Sequence, residues 1–82
     1  MNAQPDAHGT VVLVMGDRVA VRLDVDSASF TGWASMAIYD EQGYKGELLV
    51  MDVFQDHALG WVIVGPRRNA IQAGDRAGCR TP

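Results

Sequence analysis

The chain has 82 residues, 48% of them hydrophobic, which supplies apolar area for a single core and excludes two independent domains or an intrinsically disordered polymer. Seven Lys and Arg against ten Asp and Glu give a net charge of −3, which argues against the broad basic footprint of a nucleic-acid or anionic-lipid binder. Its one cysteine, Cys79, excludes a disulfide framework or a Cys-based zinc site within one chain.

Residues 1 to 8, Met1-Asn2-Ala3-Gln4-Pro5-Asp6-Ala7-His8, show no periodicity and read as a flexible arm. They lack the cationic and apolar regions of a secretory signal, and no apolar run approaches the roughly 20 residues needed to cross a bilayer. The expectation is no membrane insertion, with a cytoplasmic location for a complete chain and the cell envelope for an excised module. One domain is predicted over residues 9–80, with 81–82 as a frayed tail.

Thr10 to Met15 is an apolar, β-branched run, Gly16-Asp17 interrupts it, and Arg18 to Asp24 alternates, which together predict a hairpin. The period of two puts Val19, Val21 and Leu23 on the core face and Arg18, Ala20, Arg22 and Asp24 on the wet face. Val25 to Gly32 reads as a connection with Phe30 tucked back onto the core. Trp33 to Asp40 alternates again, with Ala34, Met36 and Ile38 on one face, and Glu41-Gln42-Gly43 supplies a turn.

The next strand runs from about Tyr44 to Gln55, with Gly46 marking a bulge or bend. Asp56-His57-Ala58 is read as a corner, Leu59 to Gly65 as a further apolar strand, and Pro66 as its end. Arg67-Arg68-Asn69 forms a polar loop, and Gly74-Asp75 is a corner before a short last strand, Arg76 to Arg80. No stretch keeps helical apolar spacing, so the class is all-β. So many short strands in so few residues predict a small closed or half-closed barrel of five to six mostly antiparallel strands, SH3-like or OB-like in size.

The order of several short motifs resembles a known module. Val19-Ala20-Val21-Arg22-Leu23 is followed by Gly32, by Ala37-Ile38-Tyr39, and by Lys45-Gly46-Glu47-Leu48-Leu49-Val50. Val53-Phe54-Gln55-Asp56-His57-Ala58-Leu59-Gly60 and Ile71-Gln72-Ala73-Gly74-Asp75-Arg76-Ala77 complete the series. Over most of residues 9 to 78 this pattern resembles the small β-barrel module at the carboxyl end of flagellar assembly protein T and of related bacterial envelope repeats. The segment Asp26 to Gly32 departs from that pattern in holding a single glycine. The resemblance implies a non-catalytic role in protein assembly at the envelope and carries no catalytic residue onto this chain.

Chemistry-bearing residues are sparse. Asp52, Asp56 and His57 suggest an acid–base or metal site, against the simpler reading of a corner whose aspartate caps its own backbone. Asp17, Asp24 and Asp26 lack the rest of a calcium loop. Cys79 sits between Arg76 and Arg80, where a lowered thiol pKa competes with an incidental terminal cysteine. Arg67, Arg68, Arg76 and Arg80 would form a basic patch beside Trp61, set against the acidic total and the lack of an aromatic row.

No catalytic, cofactor or metal residue is therefore assigned, and no enzyme activity is expected. The apolar surplus points elsewhere. Leu48-Leu49-Val50-Met51 and Trp61-Val62-Ile63-Val64 place apolar side chains on both faces of their strands, which in a barrel this small means a second buried surface. Trp33, Trp61, Leu48, Leu49, Val50 and Met51 are the predicted partner-binding residues. The predicted function is a non-enzymatic interaction or assembly module docking a protein partner or a second copy as a homo-oligomer. The alternative is a barrel that binds a small ligand or single-stranded nucleic acid.

Overall fold

The computed structural model describes residues 7–24 and 35–79. Within these residues six strands form: β1 (Ala7–Met15), β2 (Arg18–Leu23), β3 (Ser35–Asp40), β4 (Gly43–Phe54), β5 (His57–Val64) and β6 (Arg76–Cys79), with one short 3-10 helix at Arg68–Ala70. They close into a barrel in the order β1-β2-β5-β4-β3-β6, and β6 pairs back onto β1. Every neighbouring pair is antiparallel. The all-β class and the small barrel follow the sequence reading, with closure complete. Among the described residues no helix is long and apolar enough to cross a membrane.

Local sequence sets the three hairpins. Gly16 takes φ 64 in the turn from β1 to β2. The Asp40 carboxylate accepts a bond from the Gln42 amide at 2.8 Å in the turn from β3 to β4. The third turn differs from expectation. His57 and Ala58 belong to β5, paired with Arg22 and Val21, and the corner is Gln55-Asp56 with Gln55 in the left-handed region at φ 56. The Asp56 carbonyl accepts from the Leu23 amide, so the end of β2 holds this turn in place.

One further boundary moves. β1 starts at Ala7, inside the stretch read as an arm, because β6 brings Cys79 and Gly78 from the far end of the chain to pair with Ala7 and His8. Cys79 lies in the last strand as expected, the described part of which is Arg76–Cys79. The connection with Phe30, the start of the third predicted strand with Trp33, residues 1–6, and Arg80, Thr81 and Pro82 lie outside the described residues.

The interior is apolar and follows the period of two. Val19, Val21 and Leu23 of β2, Met36 and Ile38 of β3, Leu48 and Val50 of β4, and Ala58 and Val62 of β5 are all buried. Ile71 from the β5–β6 connection and Val11 and Ala77 complete the cluster. The barrel is tight enough that a Cβ on Gly60, opposite Val50, would collide with the Leu49 carbonyl.

Among the described residues one buried ion pair interrupts this core. Lys45 occupies the extra position of a bulge in β4, between Tyr44 opposite Tyr39 and Gly46 opposite Ile38, which turns its side chain inward to 2% exposure. Its ammonium donates to the Asp75 carboxylate at 2.8 Å and to the Ala70 carbonyl at 2.7 Å, and stands 3.4 Å from Asp40. The same Asp75 oxygen accepts from the Gln72 amide at 2.9 Å. Arg67 donates to Asp40 and to the Gly43 carbonyl. These contacts strap the β5–β6 connection over the β3–β4 hairpin and deliver β6 to its slot between β3 and β1. The Asp75 carbonyl and the Gly74 amide then bond Val11 directly.

Asp75→Ala leaves the buried Lys45 ammonium with the Ala70 carbonyl and the more distant Asp40 carboxylate, a loss of up to about 3–5 kcal/mol for a broken buried pair, a large part of the stability of a domain this small. Urea unfolding of Asp75→Ala should show this loss, and Lys45→Met combined with Asp75→Leu should recover most of it. The pH dependence has two arms. Hydrogen bonding to Arg67 holds the Asp40 carboxyl down at about 2, so its contribution is present above the ordinary carboxylate range and is lost as pH falls through that value. Hydrogen bonding to Asp75 raises the Lys45 pKa, so that contribution is complete below the usual lysine range and is lost as pH rises beyond it. From about pH 5 to about pH 9 these two groups should leave the urea midpoint level, and Arg67→Ala should weaken the acid arm selectively.

Candidate functional site

Side chains of directly paired residues share a face of the sheet, so the registers of β1, β2, β5 and β4 define the outer surface of this side of the barrel. Met15 pairs with Arg18, Arg18 with Trp61 and Trp61 with Leu49, forming one row across the four strands. Two residues along, Leu13 pairs with Ala20, Ala20 with Leu59 and Leu59 with Asp52, forming a second. Bulges at Val12 in β1 and Met51 in β4 add two more exposed apolar side chains to this surface. The result is a continuous apolar face. Leu13 is 52% exposed, Met15 64%, Met51 59%, Leu59 40% and Trp61 39%, values that would leave a monomer with an unusual amount of wetted hydrocarbon.

The face is concave. A groove of about 380 Å³ runs over Ala20 and Gly60, walled by Leu13, Met15, Met51, Leu59 and Trp61. Gly60 and Ala20 form its floor because neither side chain rises above the sheet. Among the described residues the one charged side chain on the groove wall is Arg18, whose guanidinium carbon lies 4.7 Å from the centre of the Trp61 ring. That cation–π contact stiffens both side chains and contributes on the order of 0.5–1 kcal/mol at an exposed site.

The predicted partner-binding residues divide. Trp61, Leu49 and Met51 face outward. Leu48 and Val50 are corrected: both are fully buried core residues, because alternation sends every second residue of β4 into the barrel, and neither can touch a partner. Trp33 lies outside the described residues. Leu13, Met15, Leu59 and Arg18 were not singled out by sequence reasoning. The uninterrupted apolar run Val11 to Met15 carried the same two-faced signal as residues 48 to 51, but only the register places it beside β5.

The remaining candidates resolve into structural contacts. His57 Nδ1 lies 2.8 Å from Asp56 Oδ1 at the hairpin corner. Among the described residues no group of three or more His, Cys, Asp or Glu is placed to hold a metal. Arg67 and Arg76 engage Asp40 and Asp24, so they do not gather beside Trp61. Hydrogen bonding to Asp24 raises the Arg76 pKa further. A second hollow of about 510 Å³ lies between the end of β3 and the β5–β6 connection, but its carboxylates Asp40 and Asp75 are engaged by Arg67 and Lys45.

Comparison with protein-family models, with curated proteins and with solved structures finds no match. The resemblance to the flagellar assembly T module therefore stands on its sequence motifs alone.

The two faces of β4 make opposite predictions for adjacent leucines. Leu48→Ala should cost about 2–5 kcal/mol in urea unfolding through the cavity it leaves, whereas Leu49→Ala should cost no more than about 1 kcal/mol.

Proposed function

We propose that this barrel is a non-enzymatic interaction module that docks another protein surface through the outer face of β1, β2, β5 and β4. The observation that carries the reading is the continuity of that face. Two neighbouring rows of paired residues run across four strands with apolar side chains at most positions, and two bulges enlarge the patch where a barrel exterior would ordinarily carry polar residues. Trp61 at its centre, flanked by flexible methionines, has the composition of an interface anchor. An assembly role of the kind suggested by the envelope-module resemblance is the form of docking this reading favours.

Trp61→Ser and Leu59→Ser test it, since both residues are partly exposed and neither substitution opens the interior. Far-UV circular dichroism should stay unchanged, while association, with a second copy by light scattering or with a partner captured from the source cells, should fall by at least tenfold, as loss of a central aromatic anchor costs on the order of 2 kcal/mol. A wild-type protein that neither self-associates nor binds a partner, or whose association survives both substitutions, would overturn the assignment.

A further inference from the structure

The apolar face carries an unlike charge on each side of its centre. Arg18 stands on β2 and Asp52 on β4, with Trp61 and Leu59 of β5 between them. Neither Arg18 nor Asp52 has an ion-pair partner among the described residues, whereas Lys45, Arg67 and Arg76 are engaged by Asp75, Asp40 and Asp24. Within β2, β5 and β4, Arg18 begins the row that continues through Trp61 to Leu49, and Asp52 ends the row that comes through Ala20 and Leu59. The two charges thus occupy diagonal corners of a block three strands wide and two rows deep.

This arrangement is self-complementary. Two such faces brought together about a two-fold axis that lies in the face, crosses the Arg18–Asp52 diagonal at its midpoint and passes between Leu59 and Trp61 set Arg18 of each copy opposite Asp52 of the other. The apolar centres then meet. A closed two-fold contact requires this property, because the same patch serves both sides and any lone charge would otherwise face an apolar surface or its own likeness. It also gives the common anatomy of an interface, an apolar middle with a charged border that sets register.

We infer that the occupant of this face is a second copy of the chain, in a two-fold dimer centred on Leu59 and Trp61 and registered by reciprocal Arg18–Asp52 ion pairs. This inference rests on the docking role proposed above and adds to it the partner and the register.

Light scattering on a sizing column over a wide concentration range, with charge-reversed variants, tests it. The wild type should pass from monomer to twice the monomer mass as concentration rises. Arg18→Glu and Asp52→Arg should each weaken dimerisation by about tenfold or more, because each creates two like-charge contacts per dimer. The double variant should return to within about threefold of wild type, and an equimolar mixture of the two single variants should form a heterodimer for the same reason. Should a reversal disturb folding by circular dichroism, Arg18→Gln and Asp52→Asn provide a milder pair, each expected to weaken the dimer by about threefold.

A wild type that stays monomeric throughout overturns the inference, as does a dimer indifferent to the single changes or not restored by the double. If a monomeric wild type binds a different protein through Trp61 and Leu59, the docking role stands and the self-pairing falls. If nothing binds the face at all, both fall.

Discussion

The structure depends on one buried ion pair that lets a four-residue strand close the sheet. β6 spans only Arg76–Cys79, too short to hold a position on its own, yet it pairs with β1 on one side and β3 on the other. The β5–β6 connection must therefore deliver it in register, and Lys45 fixes that connection by joining Asp75 to the Ala70 carbonyl inside the barrel. Removing both charges from water is expensive, and it is repaid only because short, multiple hydrogen bonds satisfy the ammonium and the carboxylate together. Asp40 and Arg67 extend the same strap to the β3–β4 hairpin.

Closure has a second consequence, felt on the outside. A barrel of six short strands has room inside for one residue in two, and the interior is filled by side chains such as Val21, Met36, Ile38, Leu48 and Val50. Apolar residues beyond that allotment stay on the surface. Many of them gather, because strand order sets the outward side chains of β1 and β4 on either side of β2 and β5. Fold closure and this apolar face thus have a common origin: the geometry that completes the core leaves much of its hydrophobic surplus in one concave patch, with Arg18 held against Trp61 on its wall.

Much of the fold was legible because it is local. The alternation in Arg18 to Asp24 and around Met36 and Ile38 assigned core and surface correctly, and the turn at Gly16 carries its own residue preference. Leu48 to Met51 showed that one strand would be apolar on both faces, but a run of four apolar residues does not say which two are inside; the register with β5 makes Leu48 and Val50 core and leaves Leu49 and Met51 outside. Lys45 gave no signal in the sequence. A lysine beside a glycine in a strand reads as a solvated residue, and only its partner thirty positions away reveals the burial.

The sequence by itself determined the all-β class, the hairpins, the alternation of each strand and the presence of more apolar side chains than one small core accepts. These properties live in neighbouring residues, where the period of two and the φ preferences of turn residues act. Tertiary structure alone decided that β6 would join β1 to β3, that Ala20 would set Leu13 beside Leu59, and that Arg18 and Asp52 would flank the same patch. Those outcomes are pairings between distant segments, set by which strand edges remain to be satisfied when the barrel closes, and no local pattern encodes them.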